Sequence, residues 1–549
     1  MNKFKFLTII LSLIIVLSAC SNKKSLYSDE GQVFRKVIPQ DMTTLDTALI
    51  TDAVSGDIVA QAFEGLYSIN KKDKAEPAIA KSFPKKSNGG KTLTINLRKN
   101  AKWSNGDPVT AQDFVFAWRK VVNPKTASEF AYIMSDIKNA DAINSGKKPV
   151  KDLGIKALGK YKLQIDLERP VPYINELLAL NTFNPQDEKI AQKYGEQYGT
   201  TADKAVYNGP FKVTNWQVED KIQMVKNDKY WDKKHVKLDR VNFKVLKDGQ
   251  AGASLYDTGS VDDTTISSEQ VDKYKGNKAL NYRLTAGTFF IKMNEKQIPE
   301  FKNKYLRLAI AQSINKKGYV DSVLNNGSLP SNNFTAIGTA KTPEGKDFAS
   351  TIKSPLTYND KKARTNWHKA QKQLGKKKFE FTMNTEDTPA QKISAEYIKS
   401  QVEKNLPGVT LKIKQMPFKQ KTTSELSGNF ETSYSGWVPD YPDPTAFLQT
   451  MTKGNAQNNT DWSNKEYDQL LKDANGKLLR KTDERNAALQ KAENILLNDA
   501  PVAPIYQKGE AHLTNPQVKG LVYHKVGPDT TLKDVYIDKS IDRKTGKKK

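Results

Sequence analysis

The chain has 549 residues, 37% hydrophobic and 27% charged, with a formal net charge of +26. That length exceeds what one hydrophobic core supports, so two or three domains are expected. A lone cysteine excludes an internal disulfide and a cysteine metal cluster. Lysines spread along the whole chain argue against a nucleic-acid face and favour an anionic envelope surface as partner.

At the N-terminus, Lys3 and Lys5 precede the apolar run Phe6 to Leu17, and Ser18-Ala19 stand before Cys20. Charged, apolar and small segments in that order read as a secretory leader, residues 1–19. About a dozen apolar residues fall short of the ~30 Å hydrocarbon layer. The junction Leu17-Ser18-Ala19-Cys20 resembles a bacterial lipobox. The resemblance implies lipidation of Cys20 and an extracytoplasmic protein anchored to the cell membrane, with acyl chains enough for durable attachment. It also leaves no thiol for catalysis. A plain signal peptide with an incidental cysteine is the alternative. Residues 20–29 read as the lipidated cysteine and a flexible spacer.

Val33 to Ile38 reads as a strand. Ile58, Val59, Ala62, Phe63 and Leu66 predict an amphipathic helix over 57–67. Leu93, Ile95 and Leu97 alternate with polar residues, so 92–98 is a half-buried strand. After the turn Ser104-Asn105-Gly106-Asp107-Pro108, Thr110 and Asp113 form a capping-box pattern that opens a helix through Val122. Alternation predicts strands at 163–167, 211–216, 221–226, 240–246, 379–383 and 409–414. Helices are expected at 303–315, 361–374, 387–404, 464–475 and 482–497. Separated strands and helices without a short-period repeat indicate α/β or α+β domains. The basic run from Lys361 to Lys378 reads as a solvated helix face and turn, and the tail 542–549 as frayed.

Catalytic patterns are missing. His235, His368, His512 and His524 form no close helical metal-ligand pair and read as lone surface residues. There is no G-x-S-x-G elbow, phosphate-binding loop, G-x-G-x-x-G or H-E-x-x-H. Asp262 and Asp263 are adjacent, and on a strand they point to opposite faces rather than converging. The weight therefore moves from an enzyme to a binding protein, with no cofactor and no metal.

The stretch Asn100-Ala-Lys-Trp103-Ser-Asn-Gly-Asp-Pro108-Val-Thr-Ala-Gln-Asp113-Phe114 resembles the signature of the oligopeptide-binding (OppA-like) lipoproteins of bacterial ABC importers, solute-binding family 5. Phe63-Glu64-Gly65-Leu66, Pro170-Val-Pro-Tyr173, Asn208-Gly209-Pro210-Phe211, Asn227-Asp-Lys-Tyr230-Trp231-Asp232, Gly436-Trp437-Val438-Pro439-Asp440-Tyr441 and Asn458-Asn459-Thr460 match further landmarks in order. The resemblance covers about 30–540. It implies an α/β, bilobed, periplasmic-binding-protein-like fold with an extra domain beside the first lobe. Lobe I would be discontinuous (30–63, 191–285 and 508–549), the extra domain 64–190, and lobe II 286–507. The lobes would close on ligand by hinge motion.

The same resemblance implies a monomeric, non-enzymatic carrier that delivers oligopeptides to importer permease and ATPase subunits. A carrier reading many sequences must bind what peptides share, their backbone and terminal charges. Main-chain contacts would come from Thr51-Asp52-Ala53 and Ser435-Gly436-Trp437-Val438, with side-chain pockets filled by water. Asp440 takes the position that clamps the peptide ammonium; beside three prolines it also fits an ordinary turn aspartate. Trp437 is either a pocket wall or core. Phe130 and Tyr506 either line the site or pack beneath it. Tyr434 stands where some members carry an arginine for the peptide carboxylate, and 384–390 lacks the histidine that serves a similar purpose. Metal–chelate binding, pheromone reception, hydrolysis and chaperoning remain as alternatives.

Overall fold

The computed structural model describes residues 31–549; the leader, Cys20 and the spacer lie outside the described residues. An eleven-stranded mixed sheet runs through the molecule. Its order is 409–416, 379–386, 432–437, 280–293, 502–514, 263–266, 33–38, 240–245, 221–226 and 211–217, with the short strand Leu329–Pro330 paired to 502–514. Helices cover the sheet, giving the α/β class. A separate four-stranded sheet, Lys85–Ser87, Thr92–Asn96, Lys162–Asp166 and Ile155–Gly159, carries the helix Ala111–Val122.

Two long antiparallel strands, Leu280–Met293 and Val502–Thr514, join the halves of the large sheet. Leu280–Leu284 pair with Gly509–Leu513 on one side, and Thr288–Lys292 with Val502–Gln507 on the other. The register breaks between Leu284 and Thr288. Gly509, paired with Leu284 at the edge of this break, lies against Gly327, where a Cβ would come within 2.2 Å of a backbone carbon. The apolar interior divides accordingly. One core extends from Phe34 to Val245 and takes in Val518, Leu532 and Val535. A second runs from Ala286 to Val526. A small third one gathers Val37, Val271 and Leu513.

The densest signature segment is scaffold. Trp103, Val109 and Phe114 are buried. The Thr110 N–H donates to the Asp113 carboxylate at 2.7 Å, and the Trp103 indole to the same group at 3.3 Å. Other landmarks converge on buried Glu64, whose oxygens accept from Tyr230 Oη at 2.5 Å and Trp231 Nε1 at 2.6 Å. Asn208 exchanges two hydrogen bonds with the Glu64 backbone.

Three expectations change. The first helix is Ala53–Ala62, not 57–67. Asp52 caps it by accepting from the Ser55 N–H at 2.8 Å, and Phe63 is already extended as Asn208 captures the next N–H. The tail is tied down: Arg543 donates to Asp262 at 2.9 Å and to the Val261 carbonyl at 2.5 Å. His512 and His524 are buried rather than on the surface. His512 stands 3.7 Å from Asp263 and 3.6 Å from Glu510, and His524 lies 2.9 Å from Asp73. His235 and His368 are exposed. The basic run is exposed on helix Asp360–Leu374 and the following turn.

Candidate functional site

The strand Thr432–Trp437 is paired along its length to 288–293 on one flank. On the other, 379–386 meets it only at Thr432 and Ser433. Tyr434 to Trp437 therefore keep one flank without a strand partner among the described residues. Such a flank presents main-chain donors and acceptors to any extended chain. Gly436 and Val438 are exposed there. Ser435 turns its hydroxyl inward, donating to Glu425 Oε1 at 2.8 Å, and Ser433 donates to the same oxygen at 2.6 Å. Lys421 at 2.9 Å and Lys292 at 3.4 Å neutralise Glu425. The strand is thereby pinned from below while its flank stays free.

Phe289 backs Gly436. A Cβ on residue 436 would meet the Phe289 ring at 2.8 Å, and that ring is stacked on Tyr506 at 4.7 Å. Tyr506 is itself buried and edge-on to Tyr319, so it supports the strand from within.

Beyond Trp437 the chain turns through Pro439-Asp440 into a cavity of about 640 Å³. Asp440, Trp437, Tyr132, Asp136, Arg169 and Tyr173 all line it. Asp440 is half-buried. The Tyr132 hydroxyl donates to its Oδ2 at 3.4 Å, and no cation pairs with it among the described residues. Burial pushes its carboxyl up to about 6, against the opposing pull of the Tyr132 bond. Asp443, three residues on, is different. It holds both nitrogens of Arg485 at 2.9 Å and accepts from the Thr445 N–H at 3.0 Å, which commits it to the turn. The Trp437 indole donates to the Ala446 carbonyl at 2.8 Å, fixing its ring at the cavity wall.

The structure thus brings Asp440 and Trp437 together at one cavity, with Ser435, Gly436 and Val438 on the adjoining strand. Phe130 is half-buried, its ring 5.9 Å from that of Tyr132, and it does not line the cavity. Thr51 and Ala53 are exposed at the start of their helix and do not line it either. The Asp52 carboxylate is occupied by Ser55 and Thr43. Tyr434 is buried with its hydroxyl 2.9 Å from that of Tyr319, a neutral contact where an arginine was the expectation in some relatives. Sequence reasoning missed Tyr132, Asp136 and Arg169. Their only signal was proximity in sequence to Phe130 and to the Pro170–Tyr173 landmark.

The profile of the bacterial extracellular solute-binding proteins, family 5 (middle region), matches residues 74–459. The dipeptide-binding protein of Lactococcus lactis subsp. cremoris (strain MG1363) is 36% identical over 541 residues, covering 95% of this chain and 97% of that protein. The structure of Listeria monocytogenes OppA bound to peptide superposes with a TM-score of 0.79 at 38% identity, covering 93% of this chain and 100% of that one. That of the pheromone receptor PrgZ, described with its mode of peptide binding, gives 0.80 at 36% identity with the same coverage. With a matched profile over most of its length and relatives aligned nearly end to end, the chain belongs to the bacterial extracellular solute-binding proteins, family 5.

Proposed function

We propose that this protein captures oligopeptides in the cleft beside Thr432–Trp437 and delivers them to an ABC importer from the outer face of the cell membrane, where a lipid on Cys20 anchors it. One observation carries the reading: Asp440 is a carboxylate with no counter-ion among the described residues, placed in a cavity next to an unpaired strand flank. A peptide supplies both missing partners, an ammonium for Asp440 and a backbone for the flank. The peptide-bound relative and the dipeptide-binding relative support a peptide as the ligand. The division into lobe I (30–63, 191–285, 508–549), an extra domain (64–190) and lobe II (286–507) goes with it. The separate core of lobe II and the register break near 284–288 support its boundary with the rest, whereas lobe I and the extra domain share one core. Thr51, Ala53, Phe130 and Tyr506 would serve the cleft from its margins, through backbone or packing.

The test is mass spectrometry of small molecules released from the purified protein, followed by rebinding of free and N-acetylated peptides. A mixture of short peptides, with acetylation abolishing rebinding, is the expected result. Asp440→Asn should weaken binding at least about a hundredfold, because losing one partner of a desolvated pair costs ~3–5 kcal/mol. A metal chelate, or affinity indifferent to acetylation, overturns the reading. The likeness to PrgZ favours one second reading, reception of a peptide signal. A single released peptide species would decide for it.

A further inference from the structure

The two halves of the molecule also meet beside the ligand cavity. The rings of Tyr173 and Tyr441 lie flat on one another, centroids 4.1 Å apart and planes 6° from parallel. An arginine flanks the stack from each half. Arg169 is held by Asp136 at 2.9 Å, and Arg485 by both oxygens of Asp443 at 2.9 Å. The charge of each arginine also bears on both tyrosines.

Arg169 reaches across to donate to the Asn475 carbonyl at 3.3 Å. Five residues on, exposed Arg480 reaches back in the opposite direction and donates to the Gly89 carbonyl. Gly89 adopts φ +64°, and its neighbour Gly90 lies against Pro170, so both anchors belong to one surface. The loop 475–480 is therefore gripped by one half and grips it in return. Its root is not free to move alone: Arg485 Nε donates to the Ala474 carbonyl at 3.0 Å while the same side chain holds Asp443. Asp443 is three residues from Asp440.

The geometry points to a latch: Arg480, Arg169 and the Tyr173–Tyr441 stack hold the cleft shut and set how long a captured peptide stays. This rests on the cavity at Asp440 being the ligand site. Because these contacts exist only while the halves touch, they act on opening more than on encounter. Their loss should appear in the dissociation rate.

Arg480→Ala is the clean test, since it removes an exposed side chain without touching either core or the cavity. The probe is unblocked tetra-alanine, followed by stopped-flow tryptophan fluorescence. Dissociation should be about three- to tenfold faster, as expected for the net worth of one solvent-exposed hydrogen bond. The association rate should not fall, and the peptide-free Tm should drop by no more than about 2 °C. Arg480→Lys, which keeps a donor, should recover part of the loss. An unchanged dissociation rate, or a loss shared by association rate and Tm, overturns the latch. Small-angle scattering of the peptide-free chain gives an independent arm: Arg480→Ala should have the larger radius of gyration, and equal radii also overturn the proposal. A parent chain that binds no unblocked peptide sinks the carrier reading instead, and the scattering arm then decides the latch by itself.

Discussion

Asp440 is held in a state that favours its ligand at the expense of its own comfort. Its carboxyl is raised from an ordinary 3.8 to about 6 by burial. The folded chain therefore binds more protons than the unfolded chain between those values. Stability from this group is fully present below about pH 4 and is lost as pH rises through 6. A peptide ammonium needs the ionised form, so affinity moves the other way. Binding of an unblocked peptide should fall about tenfold between pH 7 and pH 5, as the ionised fraction drops, and Asp440→Asn should flatten that profile. Calorimetry at the two pH values checks both. The peptide-free Asp440→Asn protein should at the same time be more stable at pH 7.5 by on the order of 1–2 kcal/mol, since it no longer confines an uncompensated charge. A lower Tm for the variant would contradict this account. Asp440 and Trp437 were legible in the sequence because the Gly436–Tyr441 landmark fixes both. Tyr132 was not, because its bond to Asp440 spans 308 residues and no local pattern encodes that distance.

Among the elements, the strands that matter most to the cleft were the hardest to read. Residues 221–226 and 240–245 alternate because one face of each is buried, 211–217 alternates as far as its irregularity at Val213–Asn215, and all three were foreseen. Leu280–Met293 begins half-exposed and ends almost wholly buried, so its pattern changes halfway and no period-two signal survives. Val502–Thr514 contains Pro504 and Gly509, both ordinarily evidence against a strand interior. They are tolerated because Pro504 lies at a register irregularity and Gly509 at the close approach to Gly327. The same logic makes the free-flanked strand sensitive to bulk. Gly436→Val places a side chain within 2.8 Å of the Phe289 ring, which cannot retreat because Tyr506 is stacked behind it. We expect a loss of about 1–3 kcal/mol in denaturant unfolding, the range for overpacking, together with weakened peptide binding. Unfolding at the parent's denaturant midpoint would show that the ring has room to move.

At the scale of the whole molecule, the sequence announced α/β architecture and more than one core, but not that a single sheet would join the cores. Composition also concealed the charge network in which Arg35, Asp262 and Arg543 draw the C-terminal tail onto the sheet. A run such as Asp542-Arg543-Lys544 looks frayed until its partner, 281 residues earlier, is known. The order of strands across the sheet has a consequence for the making of the protein. Val502–Thr514 is the last long strand to be synthesised, yet it lies in the middle, between 280–293 and 263–266. Until it emerges, those two neighbours keep unpaired flanks and the sheet cannot close. Contacts of such sequence separation form late and slowly. A chain ending at residue 500 should therefore show no cooperative melting by calorimetry, whereas a well-defined transition would mean the sheet closes without its centre. Until that central strand arrives, the large sheet stays open along its middle. An export channel that admits only unfolded chain would have the whole of that interval in which to act.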